Sequence, residues 1–424
     1  MLKSCRFQHL TFFIQHSAFS VQHSAIAQLP EEPYFSQRLA CSKMENPFVY
    51  GEVVPASAFV AREAELDRLT SDLLSGQKVF LISPRRYGKS SLVARALVAA
   101  GKHGALTVDV TVSSYSSYVA FLEGYARALL SVDTTVDRAR VWLRDMLSSV
   151  RPEMRVEPDE LGRAQLAVSF PAAQTAKDVS RLAQEVFALP GKIAAARKRK
   201  IAIALDEFQA IASFNGGSVE HALRAAVQHQ RQAGYVFSGS EPALMERMLG
   251  RSRPFYKAGP VMRLQKIPPD RFADFVEARF KATGIKAATG LGAAVVDLAG
   301  NLPYDVQRLA HEMWDDVRAA GRKTVGLDDL HQTLKRLLGE HETLFESMWQ
   351  RLTLPQRATL RAAVIEEGRE LLSGDVRGRY RLSGASTVQA ALAALVREDI
   401  LAREGTKYVV VDSLLREWIA RKTY

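Results

Sequence analysis

Short apolar segments alternate with helical patterns through the first two thirds of the chain. Val79–Ile82 and Ile201–Leu205 are uninterrupted apolar segments of strand length, and Leu106–Thr111 and Tyr235–Ser238 are two further strand candidates. Strands that alternate with helices predict a mostly parallel sheet covered on both faces, with ligands at the carboxyl ends of the strands. The pattern therefore predicts an α/β sandwich in this part of the chain.

The pattern becomes purely helical after Leu264. Apolar periodicity and helix-start signals predict four consecutive helices, at Arg271–Thr283, Ala288–Ala299, Pro303–Ala319 and Leu327–Leu338. The C-terminal part differs again, because three shorter helical segments precede a small hairpin. The helical segments are Pro355–Glu367, Leu371–Arg377 and Ser386–Glu398, and the hairpin strands are Ile400–Leu401 and Lys407–Val411. This order of elements predicts a winged helix.

Two segments fall outside these patterns. Residues 1–43 contain a near-duplicate of seven residues, Ile14–Ser20 followed by Val21–Ala27, without a heptad pattern. Because Met44 stands directly before the patterned sequence, we expect translation to start there or residues 1–43 to form a disordered arm. Residues 131–174 contain three prolines and one alternating stretch, Leu166–Phe170, which predicts an insertion with a hairpin.

Composition narrows the class of protein. The chain has 424 residues, of which 47% are hydrophobic and 24% charged, as in a globular protein of two or three domains. Its two cysteines, Cys5 and Cys41, exclude a disulfide framework or a cysteine-ligated zinc site and suit the cytoplasm. No apolar run is long enough to cross a membrane, and we expect no membrane partner. The net charge of +11 favours association with polyanions such as nucleic acid.

A phosphate-loop motif follows the first apolar strand. In the pattern G-x-x-x-x-G-K-[ST], backbone N–H groups surround the phosphates at a helix N-terminus, the lysine neutralises the β- and γ-phosphates, and the hydroxyl ligates Mg²⁺. Gly88, Lys89 and Ser90 supply the last three positions, whereas Ser83 replaces the first glycine. We therefore expect ATP and Mg²⁺ as ligands of this segment, which consists of Ser83, Pro84, Arg85, Arg86, Tyr87, Gly88, Lys89, Ser90 and Ser91.

Another apolar strand ends in two carboxylates, Asp206 and Glu207. In sites of this kind the first carboxylate joins the magnesium shell together with the loop hydroxyl of Ser90, and the second activates the attacking water as general base. Ser240 follows the next strand and is our candidate sensor of the attacking water or the γ-phosphate. The alternative for Ser240 is a plain turn that closes the strand.

Together these motifs resemble the archaeal-type ATPases of the STAND class, which are AAA+-like relatives of the origin-recognition ATPases. The resemblance covers residues 46–424 and depends on five motifs, Asn46–Phe48, Phe59–Leu66, Pro84–Leu92, Asp206–Gln209 and Gly300–Pro303. It implies a P-loop NTPase αβα sandwich with a mostly parallel sheet, followed by an all-helical lid and a C-terminal winged helix.

The resemblance also implies how the base is held. The segment Phe59–Leu66, which includes Arg62, corresponds to the part of these ATPases that lies against the adenine, and Pro303 corresponds to a lid residue that closes over the base. An alternative for the first segment is purely structural, with Phe59 in a helix-start staple and Leu66 in the core.

Arginines are candidates for stabilising charge on the transferred phosphoryl group. Arg308 resembles a lid sensor arginine. Arg253 and its neighbour Arg251 are placed like a finger that reaches a neighbouring subunit, which would require a homo-oligomer. For each of these arginines, a solvated surface position is the alternative.

The sequence thus predicts four parts: an extension at 1–43, a P-loop ATPase core at 44–265, a helical lid at 266–340 and a winged helix at 341–424. We expect an Mg-dependent, slowly hydrolysing ATPase, a molecular switch that couples core–lid motion to the winged helix. That module carries arginines suited to double-stranded DNA, although its third helix offers mainly small and polar side chains, so a protein partner is the alternative. The competing function is a DNA-binding regulator or interaction scaffold that holds nucleotide without turnover.

Overall fold

The computed structural model describes residues 45–132, 152–158, 164–171, 173, 175–214 and 218–422. The predictions for residues 1–43 and for a start at Met44 lie outside these ranges. The elements of the core are, in chain order, α1 (Glu63–Leu74), β1 (Lys78–Ile82), α2 (Lys89–Lys102), β2 (Leu106–Thr111), α3 (Tyr118–Leu130), β3 (Glu153–Pro158), β4 (Ala164–Ser169), α4 (Ala176–Arg197), β5 (Ile201–Asp206), α5 (Ser218–Val227), β6 (Ala233–Gly239), α6 (Pro242–Met248) and β7 (Val261–Arg263).

A five-stranded sheet organises the core. Its strand order is β2-β5-β6-β1-β7, and every neighbouring pair is parallel. Because the carboxyl ends of parallel strands meet at one edge, the loops after β1, β5 and β6 lie side by side there. The strands that carry the predicted phosphate loop, the two carboxylates and Ser240 are therefore neighbours, and the predicted α/β fold is confirmed.

Side-chain alternation explains why both faces of the sheet are covered. In β5, Ile203 and Leu205 pack into one hydrophobic cluster with helices α3, α4 and α5. Ala202 and Ala204 point to the other face, where small side chains allow α1 and α2 to approach closely. Burial on both faces accounts for the uninterrupted apolar run of this strand.

The insertion contains the predicted hairpin. Strands β3 and β4 pair antiparallel, from Glu153 opposite Ser169 to Pro158 opposite Ala164. This ladder accounts for the alternating sequence pattern, and residues 133–151 lie outside the described ranges.

The helical part follows the sheet, and it ends in a helix longer than the sequence predicted. Its elements are α7 (Pro269–Ala282), β8 (Lys286–Ala287), α8 (Leu291–Leu298), α9 (Pro303–Ala319), β9 (Thr324–Val325) and α10 (Leu327–Arg351). The prediction that α10 ends at Leu338 is wrong. Phe345 and Trp349 continue the apolar stripe of Leu334 and Leu338 past the polar segment after Gly339, so burial carries the helix onward.

The C-terminal elements are α11 (Leu354–Ile365), α12 (Gly374–Arg379), α13 (Ala385–Arg397), β10 (Leu401–Glu404), β11 (Lys407–Val410) and α14 (Ser413–Lys422). Strands β10 and β11 form the antiparallel hairpin expected for a wing. One hydrophobic cluster runs from Phe272 of the lid to Leu392 of α13, so the predicted division at residue 340 lies within one helix and one core. No helix in the described part of the chain is long and apolar enough to cross a membrane.

Helix α14 was not predicted. Its Trp418 packs edge-on against Trp349 of α10, with ring centroids 6.0 Å apart, and its indole N–H donates to Glu342 Oε2 at 2.7 Å. The last helix thereby fixes the winged helix to the long helix that continues into the lid.

Candidate active site

The phosphate loop connects β1 to α2 at the carboxyl edge of the sheet. Ser83 is fully buried, its N–H donates to Gly239 O at 3.2 Å, and its hydroxyl donates to Pro84 O at 2.9 Å. Gly88 has φ of +85° directly before the helix, a left-handed conformation that favours glycine. Helix α2 then begins at Lys89, so its free backbone N–H groups face the end of the loop. These features form an anion-binding turn in which serine occupies the position of the first glycine.

Lys89 connects this loop to the carboxylates at the end of β5. Its ammonium group donates to Asp206 Oδ1 and lies 3.2 Å from Glu207 Oε1. Ser90 Oγ donates to the other carboxylate oxygen of Asp206 at 3.2 Å. The side chain of Lys89 is only 6% exposed, so this ion pair is largely shielded from water. The residues predicted from two separate motifs therefore meet in one cluster.

Serine hydroxyls from β6 and the loop behind it orient both carboxylates. Ser238 Oγ donates to Asp206 Oδ1 and Ser240 Oγ donates to Glu207 Oε2, each at 2.6 Å. Gln209 Nε2 donates to the same oxygen of Glu207, also at 2.6 Å. Sequence reasoning did not identify Ser238 or Gln209, although a lone hydroxyl at the end of an apolar strand was a usable signal for Ser238.

The electrostatics of the cluster keep both carboxylates ionised. Burial by itself raises the pKa of Asp206, but the charge and hydrogen bond of Lys89, with the bonds from Ser238 and the Glu207 N–H, lower it to a net value below the usual range. For Glu207, burial is again outweighed, by the hydrogen bond from Ser240, the charge of Lys89 and the bond from Gln209, so its pKa is also lowered. Glu207 is therefore a carboxylate at neutral pH and able to accept a proton.

The donor chemistry of the cluster fits Mg²⁺. Ser90 and Asp206 present a hydroxyl and a carboxylate next to each other at the start of α2, and oxygen ligands of this type are those that Mg²⁺ prefers. Among the described residues, no group of three or more His, Cys, Asp or Glu side chains could hold a metal. Sites where Mg²⁺ is shared with substrate phosphates use one or two protein ligands, which is the number that Ser90 and Asp206 would supply.

A cavity of about 300 Å³ extends from this cluster to the lid. Its far end is apolar, and its walls come from the N-terminal segment, the loop before α7 and helix α9. The sequence-predicted residues that line the cavity are Phe59, Arg62, Pro84, Arg85, Arg86, Tyr87, Gly88, Lys89, Ser90, Ser91, Glu207, Ser240 and Pro303. Ser83 and Asp206 lie immediately behind this wall, whereas Arg253 and Arg308 are not part of the lining.

Two side chains hold the apolar end together. Gln307 of α9 accepts from the Val49 N–H at 3.3 Å and donates to Ala58 O at 3.1 Å, so one lid residue joins two parts of the N-terminal segment. Arg62 donates to the carbonyl of Tyr87 at 3.4 Å and to that of Gln265. Gln307 was not identified from the sequence, because both of its partners are backbone groups, 258 and 249 residues away.

The winged helix contacts the phosphate loop directly. Three consecutive loop residues, Arg85 to Tyr87, each bond to a residue on or next to the wing. Arg85 forms an ion pair with Asp399 at 2.6 Å. Arg86 donates to Val411 O at 3.0 Å and forms an ion pair with Asp412 at 3.4 Å. Tyr87 Oη donates to Glu404 at 2.6 Å. The segment that would bind phosphates is thus also the segment that holds the wing.

A group of four charges lies beside this contact, of which Asp305 and Arg308 are buried. Asp305 of α9 is fully buried, pairs with Arg308 at 2.7 Å and lies 3.7 Å from Arg86, while Arg308 lies 3.7 Å from Asp412. Arg308 therefore pairs with carboxylates of the lid and winged helix in this structure. Its predicted role as a lid sensor remains a prediction that requires it to leave Asp305.

The pKa of Asp305 is raised to about 6, because burial and the nearby charge of Asp412 outweigh the stabilising charges of Arg308 and Arg86. A carboxyl group whose pKa is higher in the folded chain stabilises the fold most when it is protonated. Its contribution is complete below the ordinary pKa and is lost as pH rises through about 6.

As pH rises from 4.5 to 7, we expect the free energy of unfolding of Asp305→Asn to increase by about 2 kcal/mol relative to that of wild type, because the amide has no proton to lose. Urea unfolding at the two pH values measures this difference. The matched control is Asp328→Asn, an exposed aspartate in the first turn of α10. If the difference in unfolding free energy between Asp305→Asn and wild type is the same at both pH values, the electrostatic account is contradicted.

Arg253 forms an ion pair within its own chain, with the fully buried Glu220 of α5. The side chain of Arg253 is about one third exposed, whereas its neighbour Arg251 is exposed. A finger role for Arg253 in a neighbouring subunit therefore stays a prediction and requires it to leave Glu220.

Comparison with known proteins agrees with the fold. Residues 343–421 match a family model described as "Probable winged helix domain". The fold is similar to that of the Walker-type ATPase PABY2304 of Pyrococcus abyssi, with a TM-score of 0.54 at 15% identity, over 85% of this chain and 96% of that one. No curated protein sequence matches.

Two proteins of Aeropyrum pernix are also similar in fold, with lower TM-scores. The ORC1 protein in complex with DNA has a TM-score of 0.48 at 12% identity over 88% of this chain and 96% of its own. The ORC2 protein in ADPNP–ADP complexes has the same TM-score at 13% identity, over 89% and 97%. The chain therefore has the fold of a Walker-type P-loop ATPase. A winged helix domain follows at its C-terminal end, as the sequence pattern predicted.

Proposed function

We propose that the protein is an ATP-dependent molecular switch that binds Mg-ATP in the cavity, hydrolyses it slowly and transmits the state of the nucleotide to the winged helix. The observation that carries this proposal is the shared phosphate loop. Lys89 of the loop pairs with the carboxylates that would bind the metal and activate water, and Arg85, Arg86 and Tyr87 of the same loop hold the wing.

The residues present account for a hydrolytic step. Ser90 and Asp206 would hold Mg²⁺, which supplies charge neutralisation at the phosphates. Lys89 leaves its carboxylate partners to neutralise the phosphates, and Glu207 loses a stabilising positive charge as it does so. Glu207, whose pKa is lowered, is ionised at neutral pH and would accept the proton of the attacking water. Ser240 keeps the carboxylate oriented.

Slow turnover follows from the state of the arginines. Among the described residues, the three arginines that line the cavity already have partners. Arg62 bonds to Glu65 and two carbonyls, Arg85 to Asp399, and Arg86 to the winged helix. An arginine that stabilises the transition state typically contributes a factor of about 10³ or more. Fast hydrolysis therefore requires a rearrangement that frees Arg86 or Arg308, or an arginine such as Arg253 from a second copy.

Electrostatic competition supplies the coupling. The phosphates of ATP and the carboxylates Asp399 and Asp412 attract the same two loop arginines. Binding of ATP therefore weakens the hold on the wing, and loss of the γ-phosphate restores it. We further propose that the winged helix, once its contact with the phosphate loop is lost, binds double-stranded DNA or a protein partner. We also propose that the protein acts in the cytoplasm as a STAND-class ATPase.

Steady-state ATP hydrolysis tests the proposed function. We expect slow turnover that requires Mg²⁺ and rises when duplex DNA is added. Activity with Mg²⁺ chelated would contradict the assignment of Ser90 and Asp206. No turnover in any condition, together with tight nucleotide and DNA binding, would support the competing function, a regulator that holds nucleotide without hydrolysis.

A further inference from the structure

The edge of the sheet opposite the phosphate loop carries a strong positive charge. Five segments precede strands β1, β2, β5, β6 and β7 there: residues 75–77, 101–105, 196–200, 228–232 and 256–260. Together they contain seven lysines and arginines, two histidines and no aspartate or glutamate. We call this surface the amino edge.

Backbone pairing places these segments next to each other in the sheet. The bonds are Leu106 N–H to Lys200 O at 2.8 Å, Ile201 N–H to Gln232 O at 3.0 Å, and Tyr235 N–H to Gln77 O at 2.8 Å. Side chains add two connections, from Arg199 to Gly104 O at 2.8 Å and from Lys78 Nζ to Gln230 O at 2.9 Å. Five strands about 4.8 Å apart make an edge about 19 Å wide, and basic side chains precede four of them, β2, β5, β6 and β7.

Helix ends explain only part of this charge. Lys102 and Arg197 are the last residues of α2 and α4, where a cation typically stabilises the helix dipole by about 0.3–1 kcal/mol. Lys200 and Arg231 lie beyond any helix end and are exposed. In the described part of the chain, neither these two residues nor Lys102 forms an ion pair, so their charges are available to a ligand.

We propose that the amino edge binds the phosphate backbone of duplex DNA, as a contact separate from both the winged helix and the nucleotide site. B-form DNA carries one charge per about 1.7 Å of its axis, so a surface of this width faces several phosphates at once. Binding of this kind needs only cations, and it gives affinity without sequence preference.

The chemistry of the surface favours nucleic acid over other polyanions. Protein interfaces have an apolar and aromatic centre, and stable membrane attachment needs an inserted apolar group. The only large apolar side chain exposed on these segments is Tyr256 at their margin, and Lys257 covers its ring with Nζ 5.4 Å from the centroid. The rest of the surface consists of basic and polar groups.

The test is a charge reversal with a matched control. The variant Lys102→Glu/Lys200→Glu/Arg231→Glu removes one cation from each of three neighbouring segments. The control Lys281→Glu/Lys323→Glu/Lys335→Glu changes the net charge equally at exposed positions of the lid that form no ion pair in the described part of the chain. Both proteins are titrated with a fluorescent 30-bp duplex and with phosphatidylserine vesicles, and their thermal unfolding is compared.

We expect the amino-edge variant to raise the Kd for duplex DNA at least about tenfold at low salt, and to reduce the slope of log K against log salt by about 2.7. The control is expected to change Kd less than about twofold. If both variants bind duplex DNA equally more weakly, the loss of affinity is explained by net charge alone and the proposal is overturned. Unchanged DNA binding, or loss of vesicle binding alone, would overturn it as well.

Discussion

Replacing Glu207 with glutamine is expected to lower ATP turnover at least about 100-fold while ATP still binds. Glutamine keeps the size of the side chain, but its amide cannot take the proton of the attacking water. The positions of Ser240 and Gln209, which both donate to Glu207 Oε2, show that the carboxylate is held in one orientation beside the phosphate loop. The loss therefore falls on kcat and not on nucleotide affinity.

Single-turnover hydrolysis and the Kd of a fluorescent ATP analogue, measured on the same preparation, separate these two effects. The matched control is Glu246→Gln, an exposed carboxylate on α6 that pairs with Arg263 at 2.9 Å outside the cavity. A Glu207→Gln protein that turns over ATP at the wild-type rate would remove Glu207 from the mechanism.

Replacing Lys89 with alanine is expected to weaken ATP binding about 100-fold or more, since the buried cation at the end of the loop is lost. It also leaves Asp206 and Glu207 next to each other without the ammonium group between them. Their pKa values are then expected to rise, because only the hydrogen bonds of the cluster still offset burial and mutual repulsion.

The higher pKa values of Asp206 and Glu207 in Lys89→Ala make the stability of the variant depend less on pH than that of wild type. In wild type, a lowered carboxyl pKa stabilises the fold above the ordinary pKa, and this contribution is lost as pH falls. In Lys89→Ala the contribution is reduced, so the difference in unfolding free energy from wild type should be larger at pH 7 than at pH 4. Isothermal titration with ATP and urea unfolding at the two pH values measure both effects. Lys102→Ala, at the other end of the same helix, is the control, and equal ATP affinity in the two variants would contradict the account.

Local patterns predicted much of the fold and of the site. The phosphate loop, the two carboxylates and Ser240 each follow an apolar strand, and parallel strand order alone brings such segments to one edge. Helix α9 was predicted with its exact bounds, because Pro303 starts it and its apolar stripe continues to Val317.

What the sequence did not predict depends on contacts between distant segments. Asp399, Glu404 and Asp412 are ordinary acidic residues in their own surroundings, and their partners Arg85, Tyr87 and Arg86 are more than 300 residues away. No local pattern relates them, so the docking of the wing on the phosphate loop could not be inferred. Arg308 is different, because Asp305 lies three residues earlier on the same helix, so their ion pair could have been predicted from the sequence.

The length of α10 shows a similar limit. Local polarity after Leu338 favoured an end, whereas Phe345 and Trp349 are buried by contact with Trp418 of α14. Tertiary packing therefore decided the helix boundary.

The most direct test of the central claim is amide hydrogen exchange in the wing, β10–β11, with Glu207→Gln used to hold ATP. If nucleotide phosphates compete with Asp399 and Asp412 for the loop arginines, exchange in the wing should be several-fold faster with ATP than without nucleotide, since two partly exposed ion pairs of up to about 1 kcal/mol each are lost. The Lys89→Ala protein should show no such change. Identical exchange with and without ATP in a protein that demonstrably binds it would contradict the switch.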